Sequence, residues 1–224
     1  GIAGAESVDG AHWNNITTRA AGDAGAPGTF TTATQGGSSI ALVGDTGAAS
    51  GVSMTSVGSF YTNYANVSTP NQGATGDGGL LQGFLNLNDT ETISLSGLAT
   101  WAPSGYKVVA VFDIGGQSRT YGVSMSDGGT SQIYWTADSA VDSDTDNDGT
   151  ISWLETTAAT SGTAVANANF ATYGTFTGDT LTIAGTNNGG RAVISGLQII
   201  AVPEPSSTAL LGLGGLALLM RRKR

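Results

Sequence analysis

Short apolar runs recur along the chain between clusters of Gly, Asn and Asp, and their lengths and spacing predict β-strands rather than helices. The runs fall at residues 39–43, 51–57, 80–87, 90–98, 106–114, 120–126, 131–136, 180–185 and 192–202. In the fourth of these, Ile93, Leu95 and Leu98 supply an apolar side while Thr92, Ser94 and Ser96 face away, so one face is expected to be buried and one solvated. Residues 108–112, VVAVF, are apolar throughout and predict a strand in the middle of a sheet with both faces covered. Many short strands separated by turn residues indicate an all-β protein, an antiparallel β-sandwich. Gly, Ser, Thr and Ala fill most remaining positions, and helix-forming residues are scarce. Helix is expected only at the C-terminal end and for a turn or two near residues 152–160.

The pattern changes character after residue 201. Val202-Pro203-Glu204-Pro205-Ser206-Ser207 is followed by an uncharged apolar run, residues 208–220, and then by Arg221, Arg222, Lys223 and Arg224. Each proline fixes its own φ and biases its predecessor toward extended backbone, so Glu204 is presented on an accessible, non-helical peptide. The apolar run predicts a short C-terminal transmembrane helix of about 20 Å, less than the hydrocarbon core of about 30 Å. A buried helix of a soluble core is the competing reading, but four basic residues would end such a helix poorly. They instead match the rule that places Lys and Arg on the cytoplasmic side of a membrane helix. The chain thus divides into a β-sandwich body, residues 1–201, and a C-terminal signal, residues 202–224.

This order of parts resembles the PEP-CTERM sorting signal of bacterial surface proteins. The resemblance implies an exosortase-type processing enzyme as partner, a membrane-anchored precursor, and then release to the cell surface or extracellular matrix. It also implies removal of the tail near Pro203, Glu204 and Pro205. Pieces of the body resemble the domain that commonly precedes such tails: residues 12–17, 80–98, 105–114, 168–183 and 194–200. That second resemblance implies a jelly-roll or galactose-binding-like sandwich and attaches no activity to it. Export requires a secretion signal, and the sequence starts at Gly1 without one, so a leader is expected upstream.

Charge and composition narrow the chemistry. Apart from the four basic residues at 221–224, only Arg19, Lys107, Arg119 and Arg191 oppose seventeen acidic residues, which leaves residues 1–220 at a formal charge of −13. Such a surface excludes nucleic acid and anionic membrane surfaces as natural partners. With no cysteine, disulfides, thiolate metal sites and cysteine nucleophiles are excluded together. His12 is the sole histidine, and no nucleophile-elbow or phosphate-loop signature accompanies it, which argues against hydrolytic triads and zinc sites.

One segment carries a positive signal. Residues 144–155 fill the twelve-residue calcium-loop pattern: Asp144, Asp146 and Asp148 at positions 1, 3 and 5, Gly149 at 6, Thr150 at 7, Ile151 at 8, Ser152 at 9 and Glu155 at 12. Calcium takes six to eight oxygens at about 2.3–2.6 Å, and alternate Asp side chains converge on one point while Gly149 permits the turn. Thr150 would offer its backbone carbonyl, Ser152 a water-mediated contact, and Glu155 both carboxylate oxygens. The competing reading is an Asp-rich solvated turn. Four carboxylates gathered without a cation would repel one another, so Ca2+ is the expected ligand, grafted between strands and structural in role.

Two further functions remain open on the sequence. A carbohydrate- or exopolysaccharide-binding module would use exposed aromatic platforms, and Trp13 and Trp101 are the loop candidates beside Trp135 and Trp153. A glycoside hydrolase needs only two carboxyl groups, and Asp89 with Glu91, two apart on a strand, has the required separation; Asp113 is an isolated second candidate. Two neighbouring carboxylates at a solvated strand entrance explain that pair equally well. The favoured expectation is a non-enzymatic, surface-directed structural protein.

Overall fold

The computed structural model describes residues 39–44, 47–57, 60–62, 83–87, 91–112, 119–138, 153–187 and 192–203. The apolar run at 108–112 organises this fold. Its strand β6 (Tyr106–Val111) is the middle member of a three-stranded antiparallel sheet, flanked by β10 (Phe170–Phe176) and β13 (Gly196–Ala201). Alternation sends Tyr106, Val108 and Ala110 into the main core, and Val109 and Val111 are buried on the reverse face. From Val108 onward both faces are covered, as the unbroken apolar run predicts, while Lys107 is exposed.

A seven-stranded sheet forms the other layer. Its strands are β1 (Ile40–Val43), β2 (Ala49–Val57), β5 (Thr92–Ser96), β7 (Arg119–Ser126), β8 (Ser131–Asp138), β9 (Val165–Ala166) and β11 (Thr180–Asn187), in the order β1-β2-β5-β11-β7-β8-β9. Neighbours are antiparallel except for β8 and β9, which run parallel. A second three-stranded sheet, β12-β4-β3, joins β12 (Ala192–Ile194), β4 (Gly83–Leu87) and β3 (Phe60–Thr62). Alternate residues of the large sheet, among them Ile93, Leu95, Tyr121, Val123, Met125, Leu181 and Ile183, share one core with Tyr106, Val108 and Tyr173 of β6 and β10 and with Leu87 and Ile194 of β4 and β12. Thr92, Ser94, Ser96, Ser124 and Thr182 occupy the opposite, partly solvated face. The architecture is therefore mostly β, in antiparallel and mixed sheets.

The layers are joined by specific contacts as well as by apolar burial. The fully buried Tyr173 hydroxyl donates to the Val123 carbonyl across the core at 2.7 Å. The Tyr134 and Tyr173 rings lie 4.9 Å apart, and Phe112 meets Tyr121 edge-on at 6.3 Å. At Gly185 the β12-β4-β3 sheet comes so close that an added Cβ would lie 2.5 Å from the Ala192 Cβ and 2.7 Å from the Leu87 carbonyl oxygen. Glycine is the residue that permits that approach.

The structure alters three sequence expectations. The run at 90–98 ends as a strand at Ser96, because Gly97 takes a left-handed φ of 86° and turns the chain into the short helix α1 (Leu98–Trp101). Leu98 is buried as expected, but from the helix. The run at 192–202 is two strands in different sheets, broken at Ser195, whose N–H donates to the Val111 carbonyl at 2.7 Å. The helix expected near 152–160 is not formed over 153–160; that segment runs alongside β10 and β8, and a short 3-10 turn follows at Ser161–Thr163. The predicted transmembrane helix lies outside the described residues, and among the described residues no helix is long and apolar enough to cross a membrane.

Candidate sorting junction and metal loop

Strand β13 hands the chain to the sorting signal. Its six residues pair with β6 from Gly196↔Val111 to Ala201↔Tyr106, and one further bond, from the Val202 N–H to the Gly105 carbonyl at 2.8 Å, closes the ladder. Pro203 is then exposed. Proline has no N–H to continue the ladder, so the pairing of β13 with β6 ends where the Pro-Glu-Pro segment begins. Glu204, Pro205, Arg221, Arg222, Lys223 and Arg224 lie outside the described residues.

The turns around this exit are tied tightly. Asp127 is the organiser: its Oδ1 accepts the N–H groups of Gly129 and Thr130 at 3.0 and 2.6 Å, and its Oδ2 those of Thr177 and Gly178 at 3.0 and 2.9 Å. Partial burial works to raise the Asp127 carboxyl, but the four backbone donors outweigh it and hold the group down at about 2. The Tyr106 hydroxyl donates to the Gly178 carbonyl at 3.0 Å. Burial, reinforced by the negative charges of Asp127 and Asp179, pushes that phenol up to about 12. Asp179 also opens α1, accepting the Leu98 N–H on its carbonyl at 3.1 Å and the Ala99 N–H on Oδ1 at 3.1 Å.

At the other end of the same sheet lies the exit of the acidic loop. Asp144, Asp146, Asp148, Thr150 and Ser152 fall outside the described residues, whereas Trp153, Leu154 and Glu155 are described. The Trp153 ring stands edge-on to Phe170 at 6.0 Å, and both pack on Val111, covering the reverse face of β6. Buried Asn169 brackets Leu154, its Oδ1 accepting the Leu154 N–H at 2.9 Å while its own N–H donates to the Leu154 carbonyl at 3.0 Å. Glu155 forms an isolated parallel bridge with Phe170, and its Oε1 accepts the Thr172 N–H at 3.1 Å. Buried Thr156 then ties both layers: its N–H donates to the Phe170 carbonyl at 2.9 Å and its hydroxyl to the Trp135 carbonyl at 2.6 Å.

Glu155, the twelfth position of the calcium-loop pattern, is therefore fixed in direction by β10 and exposed toward solvent. A carboxylate holding one backbone donor retains lone pairs on both oxygens, which suits the closing ligand of a hard-cation shell. Among the described residues no three His, Cys, Asp or Glu side chains gather in a way that could hold a metal.

The remaining candidates are dispersed. Trp101 ends α1, partly buried and packed on the main core, and Trp135 is buried in β8. Glu91 is half-buried just before β5. Trp13, His12, Asp89 and Asp113 lie outside the described residues. Asp127, Asn169 and Thr156, which position the two junctions, were not among the sequence candidates. The Asp-Gly-Gly run at 127–129 is a legible turn signal, but nothing in the sequence places Gly178 beside it.

No curated protein and no solved structure matches the chain. Residues 201–224 match the model of the PEP-CTERM protein-sorting motif, beginning on the last residue of β13, and this motif supports recognition by an exosortase and an exported, surface-directed protein.

Proposed function

We propose that the chain is a non-enzymatic structural protein of the cell surface or extracellular matrix, delivered as a membrane-anchored precursor whose tail is removed by an exosortase-type enzyme. The observation that carries the reading is the junction at Ala201–Pro203, where the last bond of the β-ladder, at Val202, is followed at once by the exposed Pro203 that opens the Pro-Glu-Pro segment. On this reading the apolar run at 208–220 is the transmembrane anchor and Arg221, Arg222, Lys223 and Arg224 hold it at the cytoplasmic face. The body is a jelly-roll-like sandwich, a reading supported by two layers sharing one core. Residues 144–155 bind one structural Ca2+, with Glu155 closing the shell; the anchoring of Trp153 and Glu155 on β10 supports this. The ion would order the loop and stabilise the fold by binding the folded form alone, about 2.7 kcal/mol at a hundredfold excess over its Kd.

The sorting reading is tested in the producing cell by replacing Pro203, Glu204 and Pro205 with Ala. The variant is expected to accumulate in the membrane fraction with its tail attached, while the unaltered chain reaches the surface fraction. Equal surface delivery of both would refute the assignment.

A further inference from the structure

The distance between the fold and the apolar run is set by covalent geometry. Among the described residues Val202 is the last one bonded into the body, and the apolar run starts at residue 208, so five residues, 203–207, lie between them. Fully extended, they reach at most about 18 Å. A proteolytic cleft must close on several residues around the bond it cuts, and here the peptide it would grip begins one residue beyond a strand. The rim of any such cleft must therefore touch the end of the body that surrounds Val202.

That end is a single hydrogen-bonded surface. Gly105 accepts from Val202, Tyr106 donates to Gly178, and Asp127 binds Thr177 and Gly178. Thr100, Pro103, Gly128, Gly129, Thr130, Thr177 and Asp179 are exposed there. Residues 97–105, 127–130 and 177–179 contain two carboxylates, Asp127 and Asp179, and no Lys or Arg. With exposed Lys107 on the adjoining β6 as its one neighbouring cation among the described residues, against two carboxylates, this end gains little from anionic lipid headgroups, whereas it suits a protein rim that offers hydrogen-bond donors or positive charge.

We propose that the loop end formed by residues 97–105, 127–130 and 177–179 is the surface that docks against the exosortase-type processing enzyme while the tail is cut. The inference rests on the sorting reading and deepens it, because it makes the folded body part of the substrate. Rigidity of this end is what fixes the approach: the four bonds to Asp127 and the Tyr106 bond hold the turns in place whether or not the enzyme is present.

The absence of cysteine from the chain allows a direct test by single-site crosslinking. Thr130→Cys and Thr177→Cys place a thiol on the proposed surface, and Ala166→Cys places one on exposed β9, at the opposite end of the strands. Each full-length variant, expressed in cells that contain the processing machinery, is labelled with a short photoreactive thiol reagent, and captured proteins are identified by mass spectrometry. Thr130→Cys and Thr177→Cys are expected to capture the processing enzyme about tenfold more than Ala166→Cys, since a short tether raises the effective concentration at the near end only. A flexible Gly/Ser insertion of about ten residues between Val202 and Pro203 relaxes that tether without moving the cut within the motif. A preference that survives the insertion would support docking through the surface itself, whereas equal capture from both ends or adducts to lipid alone would overturn the docking surface. Processing that proceeds normally in those cases leaves the sorting reading standing, whereas absence of any processed product removes both.

Discussion

Asp127 shows how much one side chain can organise. Four backbone N–H groups from two separate turns converge on its carboxylate, and each would be left without its acceptor if the charge were removed. Asp127→Ala is expected to lower stability by about 1–2 kcal/mol in denaturant titrations. Its pH dependence follows from the sign of the shift. The folded-state carboxyl titrates below its ordinary value of 3.8, so its contribution is complete above that value and is lost as pH falls toward about 2. Melting curves across that window should converge for the wild type and Asp127→Ala; a constant gap would show that the carboxylate contributes nothing specific. Tyr106 behaves oppositely at the alkaline end, with stability lost as pH rises from its ordinary value of 10.0 toward about 12. The turn at Asp127 is legible in the sequence, whereas its grip on Thr177 and Gly178 comes from the meeting of strands fifty residues apart.

Among the elements, the strands with regular alternation were the ones the sequence disclosed. Residues 92–96 and 106–111 appear where the pattern puts them, one with a single buried face and the other with two. Strand β10 was hidden because its register slips between Tyr173 and Phe176: Ala171 and Tyr173 alternate inward, then exposed Thr175 is followed at once by buried Phe176. The two-residue β9 is too short to carry any period. The apolar stretch from 192 to 201 conceals a change of sheet, since Ser195 resembles the solvated side of one strand while it marks a corner between two. Packing between these sheets is tested at Gly185. Gly185→Ala is expected to cost about 1–3 kcal/mol through forced separation of β11 from β4 and β12, read as a fall in the denaturant midpoint. An unchanged midpoint would mean that the sheets do not approach as closely as described.

The acidic loop belongs to the same scale, because its exit is an edge companion of β10. Calcium is expected to raise the melting temperature of the chain relative to chelator, and Asp144→Ala with Glu155→Ala to remove that response. Identical melting in all four conditions would take the ion out of the account. The spacing of carboxylates was legible in the sequence, but the seat of Trp153 on Phe170 and the fixing of Glu155 by Thr172 were not. Both depend on a strand, β10, that the pattern did not reveal.

For the whole molecule, the consequential feature is that the sorting motif begins on the last strand of the body. The last described strand is β13, the matched motif begins on its final residue, and the acidic body and basic tail carry opposite charge on the two sides of the apolar run. The sorting motif was readable directly, because its information lies in local order: prolines, an apolar run, then cations. The position of that motif against the fold was not readable, since it depends on which strand supplies the sheet edge. The most direct test is mass spectrometry of the protein recovered from the surface of the producing cell. A mature C-terminus within residues 203–206, with 208–224 gone, is the predicted result; a freely dissolved cytosolic chain still ending in Arg221-Arg222-Lys223-Arg224 would contradict the account.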